Sequence, residues 1–190
     1  MKFSNQTTRA LALLTILTIL FVTQTFPAHA LLLQDRKPQF PARTGHVNDF
    51  AAVLDASTKQ RIENTLGNLR QRAGIDFVIA IIKTAGDQDV FDYSQQLTDD
   101  WDVGSKNSKQ KSLLLVIAAD TGKFFTQSSR NVRGDLPDGL IGEMGRHMRL
   151  QFEAREYNDG LTSGIRAFVN EMAEQKGLSL AGIEQPPAPM

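Results

Sequence analysis

Between about residue 45 and residue 177 the chain alternates two hydrophobic periods, one of helices and one of buried strands. Ile62, Leu66, Leu69 and Ala73 recur at helical spacing. Ser57 with Gln60 three residues on has the form of a capping box, and Gly74 is a natural stop, so the first helix is predicted over 58–73. Phe77 to Ile82 is an unbroken β-favouring apolar run, as in a strand covered on both faces. Val90, Tyr93, Leu97 and Trp101 form a second helical stripe, with Asp89 as its N-cap. Leu113 to Ala119 is a second buried strand. Thr121-Gly122 makes a tight turn into a third, Phe124 to Ser128, as in a hairpin. Pro137 suits the first position of a third helix, in which Ile141, Met144, Met148 and Phe152 share one face. Leu161, Ile165, Phe168 and Met172 share a face of the last helix, capped by Asn158 or Asp159 and stopped by Gly177.

Helices alternating with buried strands predict an α/β sandwich with a mostly parallel sheet and helices on both faces. The passage from Phe77 to Ala119 should be a right-handed crossover. Ligands of such sheets sit beyond the carboxyl ends of the strands, which directs attention to the loops after Ile82 and Ala119.

The ends of the chain change the picture of where it works. Lys2 and Arg9, the apolar run Ala10 to Val22 and the small-x-small site Ala28-His29-Ala30 form a three-part secretory signal over 1–30. An uncleaved membrane anchor is the alternative. The apolar run is shorter than the roughly 20 residues that span a bilayer. Residues 31–44 read as an irregular lead-in around Pro38 and Pro41, 45–176 as one domain, and 177–190, with Pro186-Pro187-Ala188-Pro189, as a flexible tail. No span is expected in the mature chain. An exported chain, whether periplasmic, secreted or thylakoid-lumenal, is therefore expected. The sequence holds no Cys, so such a protein stands on its core without disulfides. Without the leader's two bases it carries 19 Lys+Arg against 21 Asp+Glu, a net charge of −2 that argues against nucleic-acid binding.

The candidate chemistry is acidic. Asp87, Asp89, Asp92, Asp99, Asp100 and Asp102 lie in one stretch with no base among them. The first three suit the start of a helix, where the dipole welcomes negative charge. Asp99, Asp100 and Asp102 crowd a helix C-terminus, where each costs about 0.3–1 kcal/mol. A bound divalent cation would reverse that penalty, because hard cations take carboxylate and carbonyl oxygens. Asp120 ends the second buried strand and Asp49 precedes the first helix. If Asp49, Asp100, Asp102 and Asp120 converge, they would hold Ca²⁺ or Mg²⁺ and could polarise a phosphate ester. Solvated caps and turns are the alternative reading of the same residues, with Lys106, Lys109 and Lys111 as neutralising neighbours.

Other chemistries lack their motifs. His46 and His147 have no zinc pattern around them, and no G-x-S-x-G elbow or phosphate-binding glycine loop is present. Arg130, Arg133, Arg146 and Arg149 around the third helix could hold an anion or form a solvated face.

Val47-Asn48-Asp49 with Leu54, Gly74, Tyr93 through Trp101-Asp102-Val103-Gly104, the Leu113–Ala119 strand, Leu136-Pro137-Asp138 and Tyr157-Asn158-Asp159-Gly160-Leu161 follow one another as in the TPM domain, which the chain resembles over about 45–176. The likeness is to the exported bacterial branch of that family. It implies a Rossmann-like three-layer α/β/α sandwich outside the cytoplasm. It also implies links to acid-phosphatase activity, to Ca²⁺ and to the assembly or repair of membrane complexes. The family's acidic crevice would map onto Asp49, the Asp beside Trp101, and Asp120. The chain departs from the pattern at Gln110-Lys111 and at Phe124 to Ser129, close to that crevice. The reading that follows is an accessory or binding module of an envelope or lumenal protein complex, with a weak metal-assisted acid phosphatase as the alternative.

Overall fold

A computed structural model describes residues 40–106, 109–177 and 179. The expected signal, most of the lead-in and nearly all of the tail lie outside the described residues. Four strands form one sheet in the order β1 (Val47–Asp49), β2 (Asp76–Ile82), β3 (Ser112–Ala118) and β4 (Phe124–Ser128). The first three are parallel and β4 is antiparallel to β3. Helix α1 (Ala56–Ala73) follows β1 and α2 (Val90–Trp101) follows β2. A short α3 (Arg130–Arg133), then α4 (Leu140–Glu153) and α5 (Tyr157–Lys176), complete the fold.

The alternation of side chains along a strand sorts the core into two layers. Phe77, Ile79 and Ile81 of β2 and Leu113, Leu115 and Ile117 of β3 face α1, α4 and α5. Val78 and Ala80 with Leu114, Val116 and Ala118 face α2. Both strands are buried on both faces, as their unbroken apolar runs require. The result is a three-layer α/β/α sandwich. Phe77 meets Phe168 edge to face at 5.0 Å between ring centroids, and Met144 and Met148 are fully buried beside them.

Two features depart from the sequence expectation. The step from β1 to β2 and the step from β2 to β3 run the same way across the sheet, yet α1 and α2 cover opposite faces. Two such connections have opposite hands, so one departs from the right-handed rule. β1 is the shortest of the strands, at three residues. The element boundaries also shift. Helix α1 starts two residues before the predicted 58, because Asp55 is the cap in place of Ser57. The Asp55 carboxylate accepts from the Thr58 amide at 2.7 Å, the Thr58 hydroxyl at 2.9 Å and the Ser57 hydroxyl at 2.6 Å. Pro137 precedes α4 without starting it: Gly139, at φ +79°, is the N-cap. The short helix α3 carried no sequence signal.

The α4–α5 corner places one wall of the site. Tyr157 buries its ring and donates from its hydroxyl to the Ala119 carbonyl at 2.7 Å. Asn158, expected to cap its own helix, instead accepts the Asp55 amide at 3.1 Å and so joins α5 to α1. A Cβ at Gly160 would stand 2.6 Å from the Phe152 ring, and one at Gly164 would stand 2.4 Å from Met148 Cγ. The two helices thus touch at glycines.

Gly160→Ala should therefore lower stability by about 1–2 kcal/mol in urea denaturation, the overpacking outweighing the helix-propensity gain of about 1 kcal/mol. The Asp55 cap makes a pH prediction. Its carboxyl is brought from 3.8 down to about 2, by the Ser57 hydroxyl first and then the Thr58 amide and hydroxyl. A carboxyl lower in the folded chain stabilises above its unfolded value, and that stability is lost as pH falls through about 2. Asp55→Asn should flatten the dependence of stability on pH between about pH 4 and pH 2, followed by denaturant titration across that window.

Candidate functional site

The carboxyl ends of β1, β2 and β3 open onto loops 50–55, 83–89 and 119–123. The α4–α5 corner closes this end of the sheet. Asp120 stands here, exposed, its amide bonded to the Lys83 carbonyl at 3.0 Å. Its carboxyl is held below the usual range, chiefly by the Thr84 hydroxyl and further by Thr121. Arg155 has φ +65°, a left-handed conformation uncommon for a residue other than glycine. Its guanidinium donates to the Ala119 carbonyl at 2.6 Å and the Asp120 carbonyl at 2.5 Å. The carbonyls beyond β3 are thus tied to Arg155 and Tyr157, and the Asp120 carboxylate, bonded by Thr84 and Thr121, stands exposed at this rim.

Asp49 is at the same end, two strands away from the β3 loop, or roughly 10 Å at the strand spacing of a sheet. Its carboxylate is engaged by the chain that leads into α1: it accepts from the Val53 amide at 3.3 Å and the Leu54 amide at 2.9 Å. It shapes the turn around Ala52, which has φ +55°.

Asp100 and Asp102 lie elsewhere. α2 runs back along the sheet, so its C-terminus reaches the level where β3 begins: the Gly104 amide bonds the Ser112 hydroxyl at 2.9 Å. Asp102 is the left-handed C-cap of α2 at φ +50°, and both Asp100 and Asp102 are exposed. Asp99 lines a cleft of about 230 Å³ with Gln95, Lys106 and Gln127 at that same end. The fold therefore keeps Asp100 and Asp102 apart from Asp49 and Asp120 in level along the strands. Among the described residues no group of three or more His, Cys, Asp or Glu side chains stands together to hold a metal ion. The four aspartates do not fit one shared Ca²⁺ or Mg²⁺, and no chemical step is derived through a metal.

The other motif residues build the fold. Asn48 is 1 % exposed, and its amide oxygen accepts from the Thr44 amide at 2.7 Å and the Gly45 amide at 3.3 Å. Its amide nitrogen donates to the Gly45 carbonyl at 3.0 Å and the Ile79 carbonyl at 3.2 Å. Trp101 donates to the Pro41 carbonyl at 3.1 Å and sits edge-on to Phe50. Gly104, at φ +74°, lets the chain pass Gln127 and Leu114, where a Cβ would be 3.1 Å from the Gln127 carbonyl.

Sequence reasoning missed a cluster at the amino end of β2. Asp76 is buried and takes both guanidinium nitrogens of Arg43, at 2.9 and 3.0 Å, with Arg70 at 3.7 Å and His46 at 3.5 Å. His46 Nδ1 also stands 2.9 Å from the Phe77 carbonyl. A polar residue opening an apolar run was the available signal. At the far edge, Asp135 lies below the usual carboxyl range between Lys111 at 2.7 Å and Lys176 at 3.1 Å.

Asp102 separates a cap from a metal ligand. Asp102→Gly should raise stability by about 1 kcal/mol, since glycine meets no penalty in the left-handed region and a negative charge leaves a helix C-terminus. Asp102→Ala should give no such gain. Thermal melting of both variants decides the point; a rise in melting temperature with Ca²⁺ in the parent protein that Asp102→Gly abolishes would make Asp102 a ligand.

Among solved structures, the chain is similar to the N-terminal domain of a P. gingivalis protein determined by solution NMR, at 25 % identity, with 69 % of this chain and 83 % of that one covered and a TM-score of 0.62. It shares its fold with protein BA42 from the psychrophilic bacterium Bizionia argentinensis, at 18 % identity, 70 % and 91 % coverage and a TM-score of 0.53. It does so too with the N-terminal domain of the cg2496 protein of Corynebacterium glutamicum, at 8 % identity, 70 % and 83 % coverage and a TM-score of 0.54. A search of curated proteins returns no match. The TPM domain matches residues 47–171, most of the chain and all the elements from β1 into α5, so the chain belongs to the TPM domain family.

Proposed function

We propose that this TPM domain is an exported accessory or binding module that docks a protein of an envelope or lumenal membrane complex through the loops at the carboxyl end of its sheet. The observation that carries this reading is the employment of the motif side chains. Asn48, Asp49, Trp101 and Tyr157 each make hydrogen bonds within the domain, and these bonds set the shape of the loops and the lead-in. Asn48 and Tyr157 are themselves buried, so what they contribute is the fixed shape of the loops above them. Such loops on a rigid sheet are the usual carriers of recognition. No helix among the described residues is long and apolar enough to cross a membrane, so contact with a membrane complex would run through protein surface.

A second reading, a weak acid phosphatase, has one observation in its favour. Asp120 is an exposed carboxylate held ionised in the crevice beside Thr84. Ca²⁺ enters either reading only at single aspartates of this kind, not at the four-residue site.

The two readings part on turnover. The accessory module should hydrolyse p-nitrophenyl phosphate no faster than a mock preparation, with or without millimolar Ca²⁺ or Mg²⁺. Turnover above the mock that Asp120→Asn abolishes, at an unchanged melting temperature, would establish the phosphatase instead. The Asp49→Asn variant should lose stability by about 1 kcal/mol, as when one cap bond is removed.

A further inference from the structure

Strand β4 is the last strand of the sheet, beyond β3, and its outer edge is a row of main-chain groups. An antiparallel ladder alternates bonded and non-bonded opposite pairs. The Ala118 amide bonds the Lys123 carbonyl at 2.9 Å and the Ser129 amide bonds the Ser112 carbonyl at 3.0 Å, which fixes the alternation at both ends. With Val116 opposite Phe125 and Leu114 opposite Gln127, those two residues of β4 bond inward to β3. Phe124, Thr126 and Ser128 therefore turn their amides and carbonyls away from the sheet. Among the described residues no hydrogen bond reaches these main-chain groups. The opposite margin differs: there Glu63 accepts the His46 and Val47 amides.

The β4 edge is anchored and bare of charge. All five of its residues are half-buried. Phe124 stands edge to face with Phe152 at 5.5 Å and Phe125 with Phe91 at 4.8 Å, so the strand is held from both faces. Proline and charged residues, which blunt an edge, are absent from Phe124 to Ser128. Cations stand at its ends instead. Lys123 precedes the strand and Arg130 and Arg133 follow it, each exposed and none in an ion pair among the described residues. Arg133 Nε donates to the Ser128 hydroxyl at 3.3 Å, which brings that guanidinium to the end of the strand.

Charge decides what can pair here. In a second copy paired about Thr126, Lys123 of each chain would face Ser129 of the other beside its Arg130, and like charges would gather at both ends. An extended segment with acidic ends meets attraction at the same places. We infer that the β4 edge accepts such a segment of a partner protein as a further strand, uncharged in its middle and acidic at both ends. Main-chain bonds to Phe124, Thr126 and Ser128 hold it, and Lys123 with Arg130 and Arg133 select it. The anchored strand needs little ordering on binding. The edge meets the carboxyl-end loops only at Lys123, and the inference is independent of the docking reading above.

Nitrogen–proton NMR on the full chain tests it with the peptide acetyl-Asp-Glu-Thr-Val-Thr-Val-Thr-Glu-Asp-amide. The peptide should bind saturably. On binding, the amides of Phe124, Thr126 and Ser128 should gain protection from hydrogen exchange, while those of Phe125 and Gln127 are protected with and without it. The same peptide with Lys in place of its acids, or N-methylated throughout its centre, should bind at least about tenfold more weakly. Lys123→Glu with Arg130→Glu, both at exposed positions, should keep the parent melting temperature, weaken the acidic peptide at least about tenfold and prefer the Lys-ended one. Absence of saturable binding by the acidic peptide overturns the inference, as does equal binding of the Lys-ended peptide by the parent protein or protection without the alternation. A dimer seen by sedimentation without peptide, with the same amides protected, overturns it in favour of a second copy.

Discussion

The fold hangs on the side chain of Asn48. Strand β1 is three residues long and sits at the edge of the sheet, too short to hold its place by ladder bonds alone. The Asn48 amide clamps it from inside. It fixes the Thr44–Gly45 turn on one side and the Ile79 carbonyl of β2 on the other, at 1 % exposure. In such a dry setting a lost partner costs the full desolvation of the group left behind, about 1–3 kcal/mol. Glu63 completes the arrangement from α1: its two oxygens accept from the His46 and Val47 amides at 2.8 and 2.7 Å. A helix carboxylate thereby satisfies amides at a sheet margin that would otherwise invite another strand.

This constraint reaches the loops. Once β1 is clamped, Asp49 is aimed at the Val53 and Leu54 amides, the turn into α1 is set, and Asp55 is placed to cap that helix. Asn158 then accepts the Asp55 amide and brings in the α4–α5 corner, whose Tyr157 and Arg155 fasten the carbonyls beyond β3. Polar side chains form a continuous belt around the carboxyl end of the sheet. Recognition surfaces built on such a belt gain from low mobility, because less ordering is required on binding.

The layered core was legible in the sequence because it rests on periodicity. The runs Phe77 to Ile82 and Leu113 to Ala119, and the stripes of α1, α2, α4 and α5, are local patterns with one physical reading. Strand β1 was not, since three residues give no period and its stability comes from Asn48 and Glu63 in tertiary contacts. The cap of α1 was misplaced because Asp55 and Ser57 both suit the role, and only the fold shows Ser57 donating to Asp55. Among the described residues the four aspartates form no single cluster, for a topological reason. Composition gathers Asp99, Asp100 and Asp102 with Asp49 and Asp120, whereas a crossover helix carries its end to the opposite rim of the sheet. In the Asp76 cluster the bidentate partner Arg43 lies 33 positions away, with no local pattern to announce it.

The clamp has a kinetic corollary. The β3–β4 hairpin and the α4–α5 pair are made of near neighbours in the chain, while β1 must find Ile79 across the whole of α1. Closing that loop is an entropic delay, and although Asn48 can bond Thr44 and Gly45 locally, its bond to the Ile79 carbonyl waits for β2. While that loop is open, the β2 edge that β1 covers in the finished sheet has no strand beside it.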